Sequence, residues 1–290
     1  MKNLMLVTLL FSACCLPLLA QESGSRQIVP EEFVKARPHK SGAAPARRTS
    51  YRSTSTAKNV VAKNGNFEQL GLTIWRLRPT KKTDAGARII VQEGEDSNEW
   101  TPERVAADTP MKMGERIRFS FESPVPGYLY VIDREQYADG SFGEPYLIFP
   151  TTRTRNADNQ VAPGRIIEIP GQEDRPNFFS LKQSHKDQTG EILTVIVAAQ
   201  PLSEITIGTN ALKLAPELVT QWEKQWGALT QKFEMNEGVG KIWTKAEQEA
   251  GANATRQLTQ EEPAPQTIYR VAVKSGSPIL VKVKMRYRTK

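Results

Sequence analysis

A chain of 290 residues, 39% apolar and 24% charged, is long and apolar enough to bury a core, which excludes a wholly disordered polypeptide. Its two cysteines, Cys14 and Cys15, share one apolar run, and its two histidines, His39 and His185, lie far apart, so disulfide scaffolds and zinc sites built on thiolates or imidazoles are excluded. The net charge of +7 is unevenly placed: residues 21–63 carry nine Lys or Arg against three Glu, Lys2 supplies one more, and the rest balances at 29 basic and 29 acidic residues.

At the start of the chain, Lys2, the apolar run through Leu19, and Ala20 ahead of Gln21 have the three parts of a secretory signal peptide over residues 1–20. Export, to the periplasm or the outside, is expected. The run is too short and too closely followed by polar sequence for a membrane span, so no transmembrane segment is expected after cleavage. Cys14 follows Phe11-Ser12-Ala13, a poor lipoprotein box, which makes a lipid anchor the lesser reading.

Residues 21–63 lack apolar periodicity and are rich in Ser, Thr, Ala, Pro and Arg, the composition of a basic disordered arm. Such an arm is either a solvated tether or an electrostatic foot, presenting Arg37, Lys40, Arg47, Arg48 and Arg52 to anionic headgroups or envelope polymer. Nucleic acid is not expected as a partner, because only Phe33 and Tyr51 interleave the basic residues.

Residues 64–290 then read as a single β-rich domain. Leu72, Ile74, Trp75 and Leu77 predict a strand ended by Pro79, and residues 87–92 a second. The acidic, proline-punctuated stretch 93–110 predicts a long loop, with one helical turn capped by Thr101 and opened by Pro102. Ile117, Phe119 and Phe121 alternate with Arg118, Ser120 and Glu122, predicting a strand with one buried and one wet face. Two prolines and Gly127 break it, Tyr128 to Ile132 reads as a strand buried on both faces, and Tyr146 to Phe149 as a third, closed by Pro150. Residues 165–169 and 192–199 are further strands.

Leu218, Trp222, Trp226, Leu229 and Phe233 recur at helical spacing behind Pro216 and Glu217, predicting one amphipathic helix over 216–234 whose aromatic stripe is core. Thr244 and Glu247 fit a capping box and Gly251 a stop, for a short second helix. After a linker at 259–265, residues 267–273 and 279–287 predict a hairpin. The fold expected is mainly β, an antiparallel β-sandwich with one packed amphipathic helix and a short second one.

The chemistry-bearing residues are few. A nucleophile–base pair using histidine would have to use His185, which sits among charged neighbours in a polar loop, so a serine or cysteine hydrolase is not expected. Asp133, Glu135 and Asp139 in DREQYADG offer oxygens to calcium but lack the alternate carboxylates and bidentate glutamate of a calcium loop, and are weak metal candidates beside the plainer role of acids at turns. Gly238-Val239-Gly240-Lys241 lacks the spacing of a phosphate loop and reads as a turn. Asn253-Ala254-Thr255 is a glycosylation triplet too common to carry weight. No cofactor is expected. Carboxylate pairs for glycoside cleavage meet only in a fold and stay open.

The succession of an amphipathic strand, PGYLYVIDRE, a D-G turn and YLIFP resembles the bacterial domain of unknown function 4384. The resemblance continues through residues 163–170 and 192–199, covering about 114–201, and the flanks GLTIWRLRP, PELVTQWEKQW and QTIYRVAV resemble a longer secreted subfamily. It implies a compact β domain in an exported protein and no catalytic residues. The function expected is an exported, non-catalytic binding or scaffold module at the cell envelope, with an unidentified protein or an anionic envelope component as partner. The alternative is a carboxylate-based hydrolase of envelope polysaccharide. A concave cleft with two facing acids of raised pKa favours the enzyme.

Overall fold

The computed structural model describes residues 22–42, 49–54, 66–93 and 96–288. The expected signal peptide, Cys14 included, and Arg47 and Arg48 lie outside these residues. The chain opens with helix α1 (Glu22–Lys35) and strand β1 (Tyr51–Ser53), then the long β2 (Asn66–Pro79), β3 (Ile89–Glu93) and β4 (Asp96–Val105). Next come β5 (Arg116–Glu122), β6 (Gly127–Tyr137), β7 (Tyr146–Phe149), β8 (Gln160–Val161), β9 (Ile167–Ile169), β10 (Phe179–Ser180) and β11 (Gln188–Ala198). They are followed by β12 (Leu212–Lys213), α2 (Pro216–Trp226), β13 (Thr230–Met235), α3 (Lys245–Ala252), β14 (Thr267–Val273) and β15 (Ile279–Arg286).

The strands form two antiparallel sheets packed face to face. The first runs β1-β13-β14-β2-β4-β3, and the second β12-β7-β6-β11-β15, with β8 beside β6. β2 organises the first sheet because it is long enough for three partners: its first half pairs with β14 and its second with β4 on one edge, while β5 takes the other edge, itself paired with β9 and β10. The inner faces interdigitate: Leu72, Ile74, Phe119 and Phe121 meet Leu129, Val131, Val195 and Val281 in one apolar core. α2 covers the outer face of the second sheet, laying Val219 and Trp222 on Tyr130, Ile132 and Ile196. α1 and α3 cover the first sheet, so the sandwich carries helices on both outer faces. No helix among the described residues is long and apolar enough to cross a membrane.

The fold is the expected antiparallel β-sandwich, and six local expectations need correction. The described part of 21–63 is not a disordered arm: Val29 and Phe33 of α1 are buried with Tyr51, Phe233 and Ile268, and β1 pairs with β13. The domain therefore reaches back before residue 64. The stretch 93–110 is largely strand β4, its Thr101-Pro102 pair facing Leu77 and Arg78 of β2 rather than opening a helix. The polar face of β5 is not wet, since Arg118, Ser120 and Glu122 are buried. The helix over 216–234 stops at Trp226, because Thr230–Met235 gains a full ladder of hydrogen bonds by pairing with β14. Gly251 lies inside α3 rather than ending it. A side chain there would run into the Glu168 carboxyl, so glycine is kept for close approach. Finally, β14 and β15 are not a hairpin: the turn at 274–278 carries the chain from the first sheet to the second, where β15 pairs with β11 over eight residues, Val197↔Ile279 to Gly190↔Arg286.

Candidate functional site

The outer face of the first sheet carries a buried charged layer. Glu122 of β5 binds Arg37 with 2.7 Å hydrogen bonds from both Nε and Nη2, and the same guanidinium reaches the carbonyls of Thr259, Glu262 and Pro263. Arg118 of β5 pairs with Glu168 of β9 at 3.0 Å. Arg104 of β4 donates to Glu247 of α3 and, at 2.8 Å, to the carbonyl of Ala264, with its guanidinium over the Trp75 ring. Glu247 does two jobs, because its other oxygen accepts the backbone N–H and hydroxyl of Thr244 in the capping box, at 3.0 and 2.7 Å.

Beside this layer, between α1 and the segments 240–244 and 260–264, lies a cleft of about 910 Å³. Val34, Tyr51, Met235 and Ile242 give it apolar walls, and the Arg104–Glu247 pair part of its lining. Lys35 and Lys241 are exposed on its rim. Glu261 also lines it, 2.8 Å from Nδ1 of His39. Burial pushes the Glu262 carboxyl upward, but hydrogen bonds from Arg256 and Thr259 outweigh it and hold the group below its ordinary value. The cleft thus combines apolar walls with two exposed lysines and four glutamates, Glu31, Glu247, Glu261 and Glu262.

A second cluster of acids sits elsewhere. Asp133 and Glu135 of β6 and Glu191 of β11 share the core-facing side of the second sheet, beyond Leu193 and Val195, at the end of the sandwich. Burial and the neighbouring Glu191 charge push Asp133 well above the usual carboxylate range, and its buried Oδ1 accepts no hydrogen bond among the described residues. Burial also raises Glu191, against the hydrogen bond it accepts from the Tyr287 hydroxyl. Glu135 differs: burial raises it, but hydrogen bonds from Ser184 and Tyr137 and the adjacent His185 bring it below its ordinary value. Neither Asp133 nor Glu191 lines the cleft.

The same cluster brings Ser184, His185 and Glu135 together. The Ser184 hydroxyl is 2.9 Å from His185 Nδ1 and also donates to Glu135, while that same Nδ1 lies 3.3 Å from Glu135. A relay needs nucleophile and carboxylate on opposite ring nitrogens. Here both meet one nitrogen, so the three groups are not arranged as that relay.

Of the residues singled out in the sequence, Asp133 and Glu135 come together with Glu191, whereas Asp139 turns away, its Oδ1 taking the N–H and hydroxyl of Ser141 at 2.8 and 2.6 Å. Among the described residues no group of three His, Cys, Asp or Glu side chains is placed to hold a metal ion. Arg37 is buried and ion-paired rather than presented to solvent, and Lys40 and Arg52 are exposed. Sequence reasoning missed Lys35, Lys241 and Glu261 as parts of one site. The four-residue spacing of Val29 and Phe33 in a segment otherwise poor in apolar residues is the trace of α1 that was there to find.

No curated protein and no solved structure matches the chain. Residues 111–200, from the entry of β5 to the end of β11, match the family model described as Domain of unknown function (DUF4384), and the chain carries that domain there.

Proposed function

We propose that the protein is an exported, non-catalytic binding or scaffold module of the cell envelope, and that the cleft beside α1 takes its partner. The observation that carries this reading is the separation of the cleft from the carboxyls raised by burial. Glu247 and Glu262 of the cleft are tied to Arg104 and Arg256, whereas Asp133, Glu168, Glu191 and Glu234, all driven up by burial, stand outside it. A hydrolase working with two carboxyls needs an acid and a base flanking one bound bond. Binding needs only shape and complementary charge, and the exposed Lys35 and Lys241, set among the glutamates of the lining, are the groups that would meet an anionic envelope component. Export rests on the signal-like residues 1–20, and its test is the intact mass of the exported form, which should begin at Gln21.

The test is co-sedimentation of the full chain with anionic envelope polysaccharide. Retention should fall as added salt shortens the screening length from about 10 Å to about 3 Å, and the double variant Lys35→Glu, Lys241→Glu should be retained far less. Equal, salt-independent retention of both proteins would remove the cleft from the account. The neighbouring carboxyls of Asp133 and Glu191, both raised by burial, are the observation on the side of a polysaccharide hydrolase. Turnover lost in Glu191→Gln would establish that reading instead.

A further inference from the structure

A smaller pocket of about 200 Å³ lies within the family-matched segment and is completed by residues 209–211. Its apolar lining includes Ile148, Ile169, Phe178 and Phe179, and its polar lining includes Arg153, Thr154, Asp174 and Asn210. Three of these polar groups, Arg153, Thr154 and Asp174, are held by hydrogen bonds. Asp174 Oδ2 accepts the Thr154 hydroxyl at 2.6 Å and the Gly171 N–H at 2.7 Å, leaving Oδ1 without a hydrogen bond among the described residues. Arg153 uses one Nη2 on the Arg175 carbonyl at 2.8 Å and keeps its other donors free among the described residues. The Thr152 N–H binds the Gly208 carbonyl at 2.8 Å and ties the 208–211 segment to the rim.

The chain leaves this rim through Arg155, Asn156 and Ala157, three successive non-glycine residues with φ of 54°, 51° and 64°. That run is costly for L-residues. It is held by the Ala157 N–H on the Thr151 carbonyl at 3.1 Å and by Arg155 Nη1 on the Gly251 carbonyl at 2.8 Å. Strain kept by surrounding contacts collects beside sites that need a fixed backbone.

We propose that this pocket is a carbohydrate subsite that takes one neutral pyranose ring. A sugar ring has an apolar C–H face and a girdle of hydroxyls that both donate and accept, which matches an aromatic and aliphatic floor under a rim of one carboxylate, one guanidinium, one amide and hydroxyls. The opposite charges of Asp174 and Arg153 disfavour a charged ligand of either sign. A proline or aliphatic side chain would fill the floor but leave Asp174 Oδ1 and the Arg153 donors unpaired. A volume of about 200 Å³ suits a single ring rather than an extended chain. The proposal stands on these residues alone and is independent of the cleft.

Saturation-transfer NMR on the full chain with methyl glucoside, methyl galactoside, methyl mannoside and N-acetylglucosamine tests it. At least one sugar should receive saturation on its ring C–H protons. Its affinity should weaken roughly tenfold or more in Arg153→Ala, and measurably in Asn210→Ala, with melting temperatures unchanged. Lys241→Ala, in the cleft, should leave it unaltered. Absence of transfer to all four sugars, transfer insensitive to both pocket variants, or binding only of a short polyproline peptide would overturn the proposal.

Discussion

Glu168 sits on β9 with its carboxyl against Arg118 and against the backbone of α3 at Gly251. Burial lifts that carboxyl to about 7, against the pull of Arg118, Gln172 and Arg155. In the unfolded chain the group releases its proton at an ordinary glutamate value, so its protonated form favours the fold below that value, and this contribution is lost as pH rises through about 7. The wild-type stability measured by denaturant titration should therefore decline relative to Glu168→Gln between pH 4.5 and 8, by on the order of 2–3 kcal/mol. A difference that does not move with pH would show Glu168 ionised throughout. Arg37 makes a different prediction. Removing one partner of a buried pair strands the other, and Arg37→Ala would leave the Glu122 carboxylate and three backbone carbonyls without their donor. A loss of about 3–5 kcal/mol is expected, read as a lowered denaturation midpoint. An unchanged midpoint would return the N-terminal segment to the role of a tether.

Between elements, the first sheet depends on strands that are remote in sequence. β14 lies between β13 and β2, and β15 closes the second sheet beside β11, so deleting residues 266–290 unpairs both sheets and bares Leu72, Val195 and their neighbours. The truncated protein should be insoluble. A soluble product with unchanged melting would place the domain boundary elsewhere. Strands were legible where period-two alternation runs between turn residues, as in β5 and β7, and the Thr244–Glu247 box gave the start of α3. What failed was information about neighbours. Alternation on β5 marks Arg118, Ser120 and Glu122 as polar, but not that Arg37, Trp75 and Glu168 cover them. Leu229 and Phe233 keep helical spacing past Trp226, yet strand pairing with β14 decides their conformation. Turn residues at 274–278 show a reversal without showing that the chain changes sheet.

Across the whole molecule, two sheets with helices on both outer faces make one body in which the family-matched segment 111–200 cannot pair its edge strands without β2 and β15. The cleft was illegible in the sequence for the same reason: α1, the end of β4, the stretch 240–247 and the stretch 260–264 supply its lining from positions more than two hundred residues apart. The acid cluster was half legible, through Asp133 and Glu135, while Glu191 joins only by register across β6 and β11. The central claim is binding without turnover. It is tested most directly by incubating the full chain with envelope polysaccharide and measuring, in the same sample, protein bound and reducing ends released. Retained protein with no release above the buffer control is the predicted result. Release that is abolished by Glu191→Gln would contradict it and make the protein a hydrolase.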